Sequence, residues 1–263
     1  MIKRARKFFV SLLLISFFPP ILFAESMNQA YPNLQEFLSQ YLKDGLVNYQ
    51  AIRKSPELLN RIFDELQSIR EGDYEKWTAS EQKAFWINAY NVTVVKAIVE
   101  HYPIKKGLSW KALAYSSNSI QQIPDIWDRK RIRLLGKNRS LSEIEHKILR
   151  QKFKDPRIHF SLVCASIGCP VLRSGPYIGD KLDLQLEDQI RIFLSDRRKA
   201  HYDEKSESLY LSPIFKWFGK DFEPSGGVIA FIEKYWPEPN SKRTDKTEIK
   251  WLDYDWSLNE RKG

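Results

Sequence analysis

Apolar and polar positions along the chain lay out a series of amphipathic helices separated by short extended pieces. "NLQEFLSQYLKDG" opens at Asn33 as a cap and stops at Gly45, which predicts a first helix. "VNYQAI" reads as a short extended piece. In "SPELLNRIFDELQSI", Ser55 is placed as N-cap and Pro56 as the first helical residue. Leu58, Leu59, Ile62, Phe63 and Leu66 then follow at helical spacing. The third helix, "TASEQKAFWINAYNVTVVKAIVEHYP", has a capping-box signature in Thr78 and Glu81 and a terminator in Pro103. It is apolar nearly all round, so it is expected to be central and buried.

A segment around Trp110 with several serines reads as loop and short helix. "RKRIRLLGKNR" predicts a strand with a turn at Gly136. "SLSEIEHKILRQKF" repeats the capping box with Ser140 and Glu143 and is broken at Asp155-Pro156. "RIHFSLVC" is β-branched and aromatic enough to predict a strand. Next come a helix in "GDKLDLQLEDQIRIFLSD", a strand in "ESLYLS", and short helices in "PIFKWFGKDF" and "GGVIAFIEKYW". The closing "IKWLDYDW" reads as extended. The expected fold is α+β, a single domain with several helices packed on a small sheet and a long buried central helix.

The first 24 residues break this pattern. Lys3, Arg4, Arg6 and Lys7 precede a short apolar run that ends at Ala24, the form of a secretory signal peptide. Leu22 is large for its place before the cleavage site, and an uncleaved anchor is the alternative reading. The run is short for a bilayer of ~30 Å and Pro19-Pro20 interrupts it; no later stretch is long enough to span. A periplasmic or secreted chain is expected, without a membrane span once the signal is removed. The formal charge of +9 falls to +5 once the four basic signal residues are set aside. No basic stripe with interleaved aromatics is present, so nucleic acid is not an expected partner. A small molecule or an envelope component is expected instead, and no cofactor.

Candidate chemistry comes from polar residues at core-facing positions. Asn88 and Asn91 lie three apart in the apolar middle of the third helix, with Glu81 on the same face. A buried amide without partners costs about 1–3 kcal/mol, so each must bond a loop backbone or a ligand. Glu145 falls inside the stripe of Leu141, Ile144, Ile148 and Leu149, and His146 sits at its edge. A carboxylate there must be paired, hydrogen-bonded or protonated, with Arg150 or Arg157 as candidate partners. In the predicted strand, Phe160, Leu162 and Cys164 take one face, while His159, Ser161 and Val163 take the other. Cys164 then ends the strand, and His146 reaches it more freely than His159. Cys164 and Cys169 are five positions apart, which fits either a nucleophile with a neighbour or a small disulfide in an exported chain. No His spacing forms a metal motif; "IEH" beside the two cysteines leaves zinc as a remote reading.

Five segments in order resemble the uncharacterised family numbered 547 in the domain-of-unknown-function series. They are "ASEQKAFWINAYNVTVVKAIVEHYP", "SLSEIEHKILR", "DPRIHFSLVCASIGCPVLR", "LSPIFKWFGKDF" and "YDWSLN". The resemblance runs from Lys76 to Asn259, after a signal (1–24) and an N-terminal helical part (25–75), and leaves a tail at 260–263. The pattern it implies includes Glu81, Asn88, Asn91, Glu145-His146, His159, Cys164 and Cys169, with a small residue at position 161, here Ser161. No activity comes with it. The leading expectation is a thiol-dependent hydrolase or acyltransferase: Cys164 the nucleophile, His146 the base, Glu145 or an asparagine orienting it, and Asn88 an oxyanion donor. Glu81, Asn91 and His159 are expected to bind. A non-enzymatic envelope domain with a Cys164–Cys169 disulfide is the rival, and a metal-dependent hydrolase the third.

Overall fold

The computed structural model describes residues 31–236 and 247–262; the signal segment at 1–24 lies outside them. Helix α1 (Pro32–Tyr41) begins one residue before Asn33, with Pro32 in its first turn and Tyr31 as N-cap. Asn33 donates its amide to Glu65 instead of capping. Asp44 and Gly45, both at positive φ, then reverse the chain between β1 (Leu42–Lys43) and β2 (Leu46–Val47). The expected extended piece "VNYQAI" is mostly helix, because the Asn48 side chain accepts from Ala51 N and caps α2 (Tyr49–Lys54). Helix α3 (Glu57–Ser68) follows with Pro56 as its N-cap, while Ser55 ends α2. After the short α4 (Glu71–Tyr74) comes α5 (Ala79–His101), with its capping box formed as expected. Thr78 N donates to Glu81 at 2.8 Å, and Glu81 N to Thr78 Oγ1 at 3.2 Å. Every residue from Ala84 to Val95 is buried, so α5 is the central helix.

Beyond α6 (Trp110–Leu113), β3 (Ile132–Leu134) and β4 (Lys137–Arg139) form a hairpin. Leu135 and Gly136 turn it, both at positive φ, as a type I′ hairpin turn requires. The Ser140–Glu143 capping box is also formed, by bonds of 3.0 and 3.1 Å. The helix it opens, Glu143–Phe153, is wound as a π-helix.

The expected strand "RIHFSLVC" does not form. Pro156–Phe160 is a 3₁₀ turn capped by the Asp155 side chain, which accepts from Arg157 N at 3.1 Å. Beyond it, Val163 N donates to the Asn91 side chain at 3.0 Å, so a helix amide takes the place of a ladder partner. Helix α7 (Leu182–Ser195) leads to β5 (Ala200–Asp203) and β6 (Ser208–Leu211), an antiparallel pair. Helices α8 (Ile214–Trp217) and α9 (Gly227–Tyr235) follow, and β7 (Glu248–Trp251) joins β6 in parallel. The architecture is α+β, a single domain of helices around α5, with the strands among the described residues in two hairpins and one three-stranded sheet.

Two apolar clusters make up the core. One surrounds α5; the other joins Phe160, the end of α7, β5, β6, α8 and α9. The segment Ile158–Leu162 runs between them: Ile158 and Leu162 pack in the first cluster and Phe160 in the second. The C-terminal segment then crosses back over both. Leu258 bridges Ser166, Glu260 bridges Val47, and Tyr49 donates to Asn259 Oδ1 at 2.7 Å. Glu260, read as the start of a tail, also accepts from Tyr102 OH at 2.9 Å.

Candidate active site

The site grows from the chain between the two clusters. Asn91 grips it from α5, donating to Ser161 O at 2.9 Å and accepting from Val163 N. Cys164 follows, and Ala165 then adopts φ +57, a left-handed conformation that a non-glycine residue enters at a cost of about 1 kcal/mol. The turn is held from outside by the C-terminal segment: Ile167 N and Gly168 N donate to Ser257 O and Asp255 O, both at 2.8 Å. Gly168 lets that approach happen, since a Cβ there would sit 3.0 Å from Asp255 N and O. The turn brings Cys169 back beneath Cys164. Their sulfurs lie 2.7 Å apart, and Cys164 N donates to Cys169 Sγ at 2.7 Å.

Two hydroxyls complete the surroundings of Cys164 Sγ, Ser166 Oγ at 3.0 Å and Tyr254 OH at 3.1 Å. Burial pushes the Cys164 thiol up, but hydrogen bonds from Cys169, Ser166 and Tyr254 outweigh it and hold the thiol below its ordinary value. Burial and the Cys164 charge push Cys169 well above the usual thiol range. Burial, then the same sulfurs, raise Tyr254, which keeps its proton and stays a donor. The pair is therefore unequal: the Cys164 thiol is lowered and the Cys169 thiol is raised.

Cys164 opens onto a cavity of about 240 Å³ between the two apolar clusters. Both sequence-flagged imidazoles line it, His146 from the π-helix and His159 from the 3₁₀ turn. Neither is a hydrogen-bond partner of the sulfur among the described residues. Their own partners set their roles apart. His159 Nε2 lies 2.7 Å from Asp221 Oδ2, and its ring stacks on Phe218 at 4.0 Å. A carboxylate only accepts, so Nε2 carries hydrogen, and in the neutral ring Nδ1 is the acceptor. His146 Nδ1 lies 3.1 Å from Arg150 Nη1, and a guanidinium only donates. His146 thus carries its hydrogen on Nε2 and is a donor. Asp221 also receives two bonds from Arg150, at 2.6 and 2.9 Å. The His159 contact, then Arg150, hold its carboxyl far below the usual carboxylate range against its partial burial.

Glu145 lines the same cavity. It accepts from Tyr90 OH at 2.9 Å rather than pairing with Arg150 or Arg157, as expected from its place on the helix. Asn88 does not come to the cavity. Its amide donates to Tyr177 O at 2.8 Å and accepts from Tyr177 N at 2.9 Å, so it ties a loop to α5. Asn91 is a brace of the same kind on the segment leading to Cys164. Glu81 closes the capping box and packs beside Gly179. Of the predicted set, the structure brings together Cys164, Cys169, His146, His159 and Glu145 at one cavity. Sequence reasoning missed Asp221, Tyr254, Ser166 and an aromatic wall formed in part by Trp127, Trp217 and Trp256. The signal that could have found Asp221 and Tyr254 was their place inside the family-like motifs "KWFGKDF" and "YDWSLN".

Residues 74–194 match the family described as "Protein of unknown function, DUF547", so this stretch is a DUF547 domain. It holds Cys164, Cys169, His146, His159 and Glu145; Asp221 and Tyr254 lie beyond it. No curated protein and no solved structure matches the chain.

Proposed function

We propose that this DUF547 domain serves an exported thiol-dependent hydrolase or acyltransferase in which Cys164 is the nucleophile. The observation that carries the reading is a thiol held below its ordinary value at the edge of a cavity lined by two imidazoles of opposite proton disposition. The Cys164 sulfur attacks an acyl carbon, a thioester forms, and the bond to the leaving group breaks. The leaving group takes its proton from the His159 imidazolium formed when the Cys164 thiol ionises, and His146 Nε2–H hydrogen-bonds the leaving atom without giving up its hydrogen. Water or an acceptor nucleophile then gives its proton to His159 Nδ1 and displaces Cys164. Asp221 holds His159 in the tautomer that step needs and stabilises the imidazolium. This assigns the base to His159, not to His146 as the spacing had favoured, and Asn88 to bracing. Export rests on the basic and apolar character of residues 1–24.

The test is iodoacetamide labelling across pH together with turnover of a panel of activated esters and thioesters. Cys164 labels faster than Cys169, with a midpoint below the ~8.5 of a free cysteine. His159→Ala lowers turnover by about 10²-fold or more, the scale of general acid–base catalysis, and His146→Ala by less. Turnover that persists in Cys164→Ala sinks the reading.

A second reading draws on the 2.7 Å between the sulfurs: a structural disulfide in a binding domain of the envelope. Mass spectrometry of the exported protein, alkylated with and without prior reductant, separates the two. A bridged pair in the functional protein removes the nucleophile. The zinc reading has less to stand on, since no group of three or more His, Cys, Asp or Glu is gathered among the described residues.

A further inference from the structure

We propose that the cavity beside Cys164 binds the cationic head of an amine or quaternary ammonium substrate, a specificity that rests on the reading of this cavity as the active site. Its wall is aromatic. Trp217, Tyr254 and Trp256 form one contiguous cluster, with ring centroids 4.9, 4.5 and 6.0 Å apart, and Tyr90 and Trp127 add further rings. Its one lining carboxylate among the described residues is Glu145, and no lysine or arginine lines it.

The charge distribution favours a cation specifically. Tyr90 OH occupies Glu145 Oε2, and burial, then the Glu145 charge, keep that phenol protonated. Glu145 Oε1 stands 3.9 Å from His146 Nδ1, outside hydrogen-bond distance, and that nitrogen faces Arg150 instead. Arg150 feels the Glu145 charge, but its two carboxylate bonds go to Asp221 and none goes to Glu145. Across the cavity the Cys164 sulfur adds a second negative centre when ionised. A carboxylate set among aromatic faces attracts a positive head group through both charge and ring quadrupoles. A neutral sugar or acyl chain would stack on the rings equally well and would leave the carboxylate without a counter-charge. A cavity of about 240 Å³ leaves room for a head group of this size.

Choline and its uncharged isostere 3,3-dimethylbutan-1-ol test this by calorimetry on the purified Cys164→Ala protein, where no turnover interferes. Choline binds at least tenfold more tightly than the isostere. Glu145→Gln weakens choline about fivefold or more and leaves the isostere unchanged. Trp217 is half exposed, so Trp217→Leu leaves the fold in place and weakens choline as well, which keeps the test open if the Gln variant unfolds. Equal binding of the two probes, or no binding of either, overturns the cation assignment. The thiol reading then stands or falls on the labelling of Cys164. Selective choline binding beside an unreactive Cys164 upholds the cation site and removes the enzyme.

Discussion

Asp155→Asn probes the joint that carries His159. Asp155 caps the 3₁₀ turn that ends one residue beyond His159 and lies between Lys83 Nζ at 2.6 Å and the Arg157 guanidinium at 2.8 and 2.9 Å. Its side chain is 10% exposed. Burial opposes its charge, yet the Arg157 and Lys83 bonds win and lower its pKa from 3.8 to about 2. A carboxyl depressed in the folded state contributes stability above its unfolded pKa, and loses it as pH falls through the folded one. That difference, at about 1.4 kcal/mol per unit, is about 2 kcal/mol near neutral pH. The Asn variant should lose this amount, and somewhat more for leaving Lys83 short of its anion.

The assay is urea unfolding of both proteins from about pH 7 down to pH 2. The wild type loses its advantage between about pH 4 and pH 2, and the two curves converge at the acid end. Asp183→Asn is the control. Asp183 also bonds Arg157, at 2.7 Å, but its side chain is 74% exposed, so the change should be below about 1 kcal/mol. Parallel pH profiles for wild type and Asp155→Asn, or equal stability near neutral pH, would refute the placement of this charge.

Asn91→Ala leaves Ser161 O and Val163 N without their buried partner and should cost about 2–4 kcal/mol in unfolding experiments, since each stranded group costs about 1–3 kcal/mol. Gly179→Ala drives a Cβ into Glu81 Cγ and to 3.0 Å from Glu81 N at the start of α5; a loss of about 1–3 kcal/mol should appear as a lowered Tm. Tyr254→Phe removes one of the hydroxyls holding the Cys164 thiol down, so the midpoint of iodoacetamide labelling should move upward. An unmoved midpoint would mean that Cys169 and Ser166 alone set the thiol.

What the sequence disclosed divides along physical lines. Helix α5 was legible because local chemistry and tertiary role agree: Thr78 and Glu81 cap it, and its apolar circumference matches full burial. The 156–164 stretch was misread because Ile158, Phe160, Leu162 and Val163 have strand-like composition, while the deciding groups are side chains. Asp155 caps a turn locally, and Asn91, some seventy residues earlier, supplies the hydrogen bonds a neighbouring strand would have made. The same cause misplaced His159. On a strand it would face away from Cys164; on a 3₁₀ turn it reaches the same cavity. The polar positions on α5 were correctly marked as needing partners, and those of Asn88 and Asn91 are backbone. Asp221 and Tyr254 carried no periodic signal, since their use depends on which segments the topology brings together.

The cavity is built from both sides of the matched stretch's C-terminal boundary. The matched stretch, 74–194, contains the sulfur and both imidazoles, but two of the groups that set their states come from outside it. Asp221 fixes the proton on His159, and Tyr254 lowers Cys164. The backbone around Ser257 and Asp255 holds the turn on which Cys164 and Cys169 meet. Phe160, next to His159, is buried among Phe193, Phe215, Phe222 and Phe231, three of which also lie beyond residue 194. A chain ending at residue 194 would keep every sequence-flagged residue of the cavity. It would lack the acceptor that orients His159, one of the donors that lower Cys164 and most of the apolar seat of the turn between them. The C-terminal part is thus a component of the site, and a thiol titration that survived its removal unchanged would contradict the part Tyr254 plays in holding the Cys164 thiol down.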